Sequence, residues 1–174
     1  GTGKSTTLAA MIDLLNRTRR LNIVSLEDPI EFVHRSKNSQ VIQRELHTHL
    51  PSFAEGVRAA MREDPDVILV GELRDAETVR WAMTAAETGH LVLGTLHTTS
   101  AVKTIDRMVD ALPAEEREQT KSFLSQSLIA VVTQVLVKNV DSQGRRAICE
   151  VMVMTKAIAK LIQTDQTHQV PSQL

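Results

Sequence analysis

Gly1-Thr2-Gly3-Lys4-Ser5-Thr6-Thr7 opens the chain, and its reading decides the fold. Gly-x-Gly-Lys-Ser is the closing half of a phosphate-binding loop; the full pattern needs one more glycine upstream, before this sequence starts. Each visible residue has a physical task. Gly3 lets the backbone approach a phosphate closely, and Gly1, Thr2 and Thr6 are expected to bind the nucleotide beside it. Lys4 has the reach for the β- and γ-phosphates of a nucleotide. The Ser5 hydroxyl is placed for a Mg²⁺ ion. The apolar residues Leu8, Ala9, Ala10, Met11, Ile12, Leu14 and Leu15 predict the helix that follows, whose N-terminal amides and dipole favour an anion. The bland competitor is a glycine-rich turn capping an ordinary helix. A phosphate loop is held by a buried strand before it, so the sequence reads as the continuation of a domain whose start lies upstream.

The 174 residues suit one domain with a sizeable core. Hydrophobic residues make up 42% and charged residues 24%, which places the chain among globular proteins rather than disordered ones. A net charge of −1 gives no basic footprint, so no nucleic acid is expected as a partner. Arg17, Arg19 and Arg20 read as a solvated helix end. The single Cys149 excludes an internal disulfide and a multi-cysteine zinc site, and its apolar surroundings in sequence suggest packing. No apolar run approaches the length of a membrane span.

Strand and helix signals alternate downstream. Leu21–Leu26 is a strand candidate that runs into Glu27-Asp28-Pro29-Ile30-Glu31, and Val41–Arg44 an edge strand. Ser52-Phe53-Ala54-Glu55 is a capping box opening a helix to about Arg62, with Phe53, Val57, Ala60 and Met61 on its apolar side. Val67–Val70 is continuously apolar, as a strand buried on both faces would be. Asp75 caps a helix to Glu87, and Leu91–Leu96 reads as another buried strand. Ser100 caps a helix to about Leu112. The stretch from Ala114 to Gln134 is expected to be helical. Val135–Lys138 and Arg146–Met152 read as strands of a hairpin turning at Asp141-Ser142-Gln143-Gly144. Thr155 caps a last helix to about Gln163, and no element is evident after Thr164.

Such alternation predicts an α/β fold, a mostly parallel sheet flanked by helices, followed by a C-terminal helical region. Ligands then sit beyond the carboxyl ends of the strands. Three polar clusters are expected there: Glu27-Asp28 with Glu31, Gly71-Glu72, and His97-Thr98-Thr99. Hydrolysis of ATP needs charge neutralisation, Mg²⁺ and a group that orients or deprotonates water. Glu72, at the end of a buried strand, is the candidate for that last role; its competitor is a surface acid pairing Arg74. Gly71 stands where an aspartate often precedes such a glutamate, so Glu31 is expected to take over the Mg²⁺-linked carboxylate. Asp28 either assists Glu31 or serves turn chemistry around Pro29. His97 can hydrogen-bond a γ-phosphate. His90 precedes the same strand, on the order of 20 Å from His97, so it is expected to work elsewhere, at a subunit contact, or to be a polar strand end. His47 and His49 have no third ligand in view and read as a solvated loop.

The density of these motifs resembles the type II/type IV secretion ATPase superfamily. The opening heptapeptide is similar to its Walker A end. Leu26-Glu27-Asp28-Pro29-Ile30-Glu31-Phe32 resembles its Asp box, Arg62–Asp75 its Walker B, and Thr88-Gly89-His90 through His97-Thr98-Thr99 its His box. Within the superfamily the resemblance is to the PilT-type ATPases of pilus retraction and twitching motility. It implies a RecA-like P-loop ATPase core across residues 1–174, as the C-terminal domain after a PAS-like N-terminal one. It implies catalytic roles for Glu72, Glu31, His90 and His97, with Ser5 and Glu31 at Mg²⁺ and trans-acting arginines in the N-terminal domain. It further implies a cytoplasmic homo-hexamer, peripheral at the inner membrane and docked on a platform protein, with a paralogous pilus ATPase as a further partner. The family's Ala-Ile-Arg-Asn-Leu-Ile-Arg-Glu stretch corresponds to Ala157-Ile158-Ala159-Lys160-Leu161-Ile162-Gln163-Thr164. Its apolar frame is kept and its charges are not. An accessory or regulatory ATP-binding paralogue, or a secretion or conjugation ATPase, therefore stays open as an alternative.

Overall fold

The computed structural model describes residues 2–140 and 143–174. They form two compact units, Lys4–Leu96 and Thr2–Gly3 with His97–Leu174.

The first unit is a parallel sheet with helices on both faces. Its elements are α1 (Lys4–Thr18), β1 (Asn22–Glu27), β2 (Gln40–Glu45), α2 (Phe53–Ala60), β3 (Val67–Val70), α3 (Ala76–Glu87) and β4 (Leu91–Gly94). The strand order is β2-β1-β3-β4, every neighbouring pair parallel. Side chains alternate across the strands. Val24, Leu26, Ile68 and Val70 pack on one face with Phe53, Val57 and Ala60 of α2 and Ala85 of α3. Ile23, Val67 and Leu69 pack on the other with Ile12, Leu8 and Leu15 of α1. This is why β3 reads as an unbroken apolar run: it is covered twice, and all four of its residues are buried. The apolar run of β4 likewise reads as buried in the sequence. It is only half-covered, and its place at one end of the strand order accounts for that.

The register sets the carboxyl ends in one row. Leu26 lies opposite Arg44 and Val70, and Val70 lies opposite Gly94. The residues following β1 and β3 therefore leave the sheet at the same edge. The caps form as the sequence indicates. Ser52 Oγ accepts from the Glu55 amide at 3.1 Å, and Asp75 Oδ1 accepts from the Thr78 amide at 2.9 Å.

The second unit comprises α4 (Ala101–Asp110), a 3-10 turn (Ala114–Glu116), α5 (Arg117–Ser127), β5 (Ala130–Lys138), β6 (Arg145–Val153), α6 (Lys156–Gln163) and a 3-10 segment (Thr167–Gln173). Its core joins Ile105, Leu124, Val131, Met152, Ile158, Ile162 and Val170. Three expectations change here. The helix ends at Ser127 and strand begins at Ala130, so Gln134 is mid-strand. The β-branched Val131, Val132 and Thr133 alternate buried and exposed, a period that a strand satisfies and a helix does not. The tail after Thr164 is ordered, because Val170 is wholly buried and Thr167 Oγ1 donates to Asp106 Oδ1 at 3.0 Å. Cys149 is exposed on β6 rather than packed. The expected hairpin turn falls partly on Asp141 and Ser142, outside the described residues.

In α6, Ile158 and Ile162 are buried while Lys160, Gln163 and Thr164 are exposed and Ala159 half-buried. The positions that depart from the family stretch thus spare the apolar face on which α6 packs. No helix among the described residues is long and apolar enough to cross a membrane.

Candidate functional site

Helix α1 begins at Lys4, so Lys4, Ser5 and Thr6 form its first turn. Gly3 before it has φ 87°, in the left-handed region where a side chain is strained. A Cβ there would also lie 2.9 Å from Gln134 Nε2. That amide donates to the Thr2 carbonyl at 2.7 Å, tying β5 to the loop. Gln134 carries no sequence signal for this role. Gly1 lies outside the described residues.

Ser5 and Glu31 lie against each other at the carboxyl edge of the sheet. Ser5 Oγ donates to Glu31 Oε1 at 2.9 Å. Glu31 stands on the segment that leaves β1, and the parallel register brings that segment to the sheet's carboxyl edge. Glu27, at the last position of β1, is held by two donors on one oxygen: Ser25 Oγ at 2.6 Å and Gln43 Nε2 at 2.9 Å. Asp28 is exposed, and its charge acts on Arg74.

Glu72 sits at the same edge, on a backbone clamped from both sides. The Gly71 amide donates to Leu26 O at 2.7 Å and the Leu73 amide to Thr95 O at 2.9 Å. Thr95 Oγ1 donates to Gly71 O. A Cβ at Gly71 would lie 2.9 Å from Leu26 O and 3.3 Å from Glu27 Cα. β1 thus leaves no room for the aspartate usual at this position. The Glu72 carboxylate pairs with Arg74 at 2.5 Å, and this hydrogen bond raises the guanidinium's pKa above its ordinary value. The contact named above as the competing reading is therefore formed. The Arg74 side chain is 65% exposed, however, and an open guanidinium exchanges a carboxylate for water at little cost.

His90 is at the opposite edge of this sheet, before the first residue of β4. Its Nδ1 lies 2.8 Å from the Ala85 carbonyl and 3.2 Å from Thr88 Oγ1. A carbonyl only accepts, so Nδ1 carries the proton and the imidazole closes the C-terminus of α3. His49 Nδ1 accepts from the Glu45 amide at 2.9 Å, and His47 takes φ 64° while its amide donates to Leu50 O. Both belong to the turn after β2.

In the second unit His97 is exposed beside an open cleft of about 390 Å³. Thr98, Thr99, Lys103, Asp106, Arg107 and Asp110 line it as well. Lys103 Nζ donates to Thr99 Oγ1 at 3.2 Å. α4 forms one wall of this cleft, and its first amide (Ala101) donates to Glu150 Oε1 of β6 at 2.8 Å.

The family model described as type II/IV secretion system protein matches residues 1–174. The chain belongs to this family. Among its relatives, the type IV pilus retractation ATPase PilT of Pseudomonas aeruginosa is 58% identical over 172 residues, 99% of this chain and 50% of that protein. The type IV pilus ATPase PilU of the same organism is 43% identical over 169 residues, 97% of this chain and 44% of that one. A crystal structure of the pilus retraction motor PilT with bound ADP superposes with a TM-score of 0.95 at 48% identity, covering 99% of this chain and 50% of that one. The chain spans about half the length of the curated relatives it matches. The parallel sheet flanked by helices is thus the fold of that PilT structure.

Proposed function

We propose that this chain is the ATP-hydrolysing part of a motor that powers type IV pilus retraction and twitching motility. The observation that carries the proposal is the 2.9 Å bond from Ser5 to Glu31 at the start of α1. It brings the last residue of the Gly-Lys-Ser motif to a carboxylate from the neighbouring strand end. The similarity to proteins named as pilus retraction ATPases gives the process, and the relative with bound ADP gives the ligand class.

In this reading the α1 amides and Lys4 bind the β- and γ-phosphates of ATP, with Gly1, Thr2 and Gly3 completing the loop. Ser5 and Glu31 fit Mg²⁺. Both offer hard oxygen donors, and two neighbouring oxygens of an octahedron with bonds of 2.0–2.1 Å are about 2.9 Å apart. When bound, the ion neutralises charge on the β- and γ-phosphates. Glu72, released from Arg74, orients the attacking water and takes its proton. His97 donates a hydrogen bond to the γ-phosphate and reports its presence. His90, holding the end of α3 through Nδ1, presents Nε2 as an acceptor to a neighbouring subunit. The assembly is a cytoplasmic homo-hexamer, peripheral at the inner membrane, that works on a platform protein and alongside a paralogous ATPase.

The exposed, altered face of α6 supports a second reading, an accessory ATP-binding paralogue. Pilus display and twitching in cells lacking the gene, beside a Glu72→Gln allele, separate the two. Abundant pili without twitching in both strains is the outcome expected of a retraction motor. Normal pili and movement would favour the accessory role, and loss of pili would overturn retraction in favour of extension.

A further inference from the structure

Glu31 is exposed and stands on the irregular segment between β1 and β2. Nothing in the segment's own sequence fixes where its carboxylate points. Yet the residue before it and the residue after it are both held, through a backbone group, by side chains of the next strand. Glu45 Oε2 accepts from the Ile30 amide at 2.9 Å. Gln43 Nε2 donates to the Phe32 carbonyl at 2.7 Å, and Gln43 Oε1 accepts from the His34 amide at 2.8 Å. The same Gln43 Nε2 reaches Glu27 Oε1. Only one orientation of the Gln43 amide satisfies all three partners, since two of them accept and one donates.

Gln43 and Glu45 are two apart on β2, so both project to one face of the sheet. β2 pairs in parallel with β1, and Gln43 and Glu45 lie opposite Ser25 and Glu27. The strand is therefore a rigid comb with two teeth, one gripping the residue before Glu31 and the other the residue after it. Further along, Asn16 of α1 takes the same segment, its Nδ2 donating to Arg35 O at 2.8 Å and its Oδ1 accepting from the Lys37 amide at 2.9 Å. Those bonds anchor the distal part and leave the backbone on either side of Glu31 to the two β2 side chains.

We infer that Gln43 and Glu45 are positioning residues that hold the Glu31 carboxylate against Ser5, and so set how tightly the pair takes a divalent cation with nucleotide. The inference rests on the reading of Ser5 and Glu31 as a Mg²⁺ site given above. Outer residues that orient a metal-linked carboxylate change metal affinity or activity by about 10–100-fold when replaced.

The test uses the intact gene product carrying Gln43→Glu, Glu45→Ala, Glu45→Gln or, as reference, Glu31→Gln. ATP turnover is followed across a Mg²⁺ titration, and binding of fluorescent ADP is measured in EDTA and in Mg²⁺. Gln43→Glu keeps the acceptor for His34 but has no donor for Phe32 or Glu27. It and Glu45→Ala are expected to raise the Mg²⁺ concentration for half-maximal turnover about tenfold, with ADP affinity in EDTA unchanged. Glu45→Gln still accepts from Ile30 and is expected to recover most of the loss. An unmoved Mg²⁺ midpoint in both Gln43→Glu and Glu45→Ala overturns the inference. So does a parallel fall in metal-free ADP affinity, which marks general damage. The reference separates the two layers: a Glu31→Gln protein with an unmoved midpoint defeats the Mg²⁺ reading itself, whereas a shifted one beside unmoved Gln43 and Glu45 variants defeats only the positioning.

Discussion

Ser5 Oγ and Glu31 Oε1 are 2.9 Å apart, joined by one hydrogen bond across 26 positions of sequence. The bond couples the phosphate loop's hydroxyl to the segment after β1. Ser5→Ala and Glu31→Gln should therefore not act independently. Each single substitution is expected to lower Mg²⁺-dependent turnover about 10–100-fold. The double variant should lose clearly less than the product of the two, with a coupling of about 0.5–3 kcal/mol. Additive losses in a double-mutant cycle would separate the two residues.

Gly71 is tightly confined by β1. Gly71→Ala would place a methyl 2.9 Å from the Leu26 carbonyl, a backbone atom that moves only with the strand. Urea unfolding should show a loss of about 1–3 kcal/mol, and turnover should fall because Glu72 is the next residue. An unchanged midpoint with full activity would show that β1 yields freely.

Lys121 of α5 bridges Asp165 and Glu118, each at 3.0 Å. The hydrogen bond to Asp165, then that to Glu118, raises its pKa. The sign follows from linkage. A raised pKa stabilises the folded state below the unfolded lysine value, about 10.4, and the contribution is lost as pH rises through the folded value. Thermal unfolding should therefore show a steeper loss of stability above about pH 10.4 in the wild type than in Lys121→Met. Identical alkaline slopes would show that the bridge adds nothing.

Much of this arrangement is legible in the sequence. The β3 run Val67–Val70 shows its double burial because no polar residue interrupts it, and Ser52, Asp75, Ser100 and Thr155 all cap the helices that their positions indicate. Ser5 and Glu31 could be paired because a phosphate-loop hydroxyl and a strand-end acid share one edge in a parallel sheet. The rest depends on tertiary contact. Gln43 and Glu45 look like ordinary residues of an edge strand, and only their bonds to Ile30, Phe32 and His34 show a task. Ala130–Gln134 follows a helical stretch in sequence, and the apolar Ile129-Ala130-Val131-Val132 has no period that marks where strand begins. Val170 sits alone in a polar tail, so its burial could not be read from its neighbours.

Steady-state ATP turnover of the intact gene product, wild type beside Glu72→Gln, tests the central claim most directly. Gln keeps the shape of the side chain and removes its ability to take a proton. The account predicts Mg²⁺-dependent turnover in the wild type and a fall of about 10²–10⁴-fold in the variant, with ATP binding retained. Turnover undiminished in Glu72→Gln would contradict it, and would leave Glu72 with its pairing to Arg74 and no part in hydrolysis.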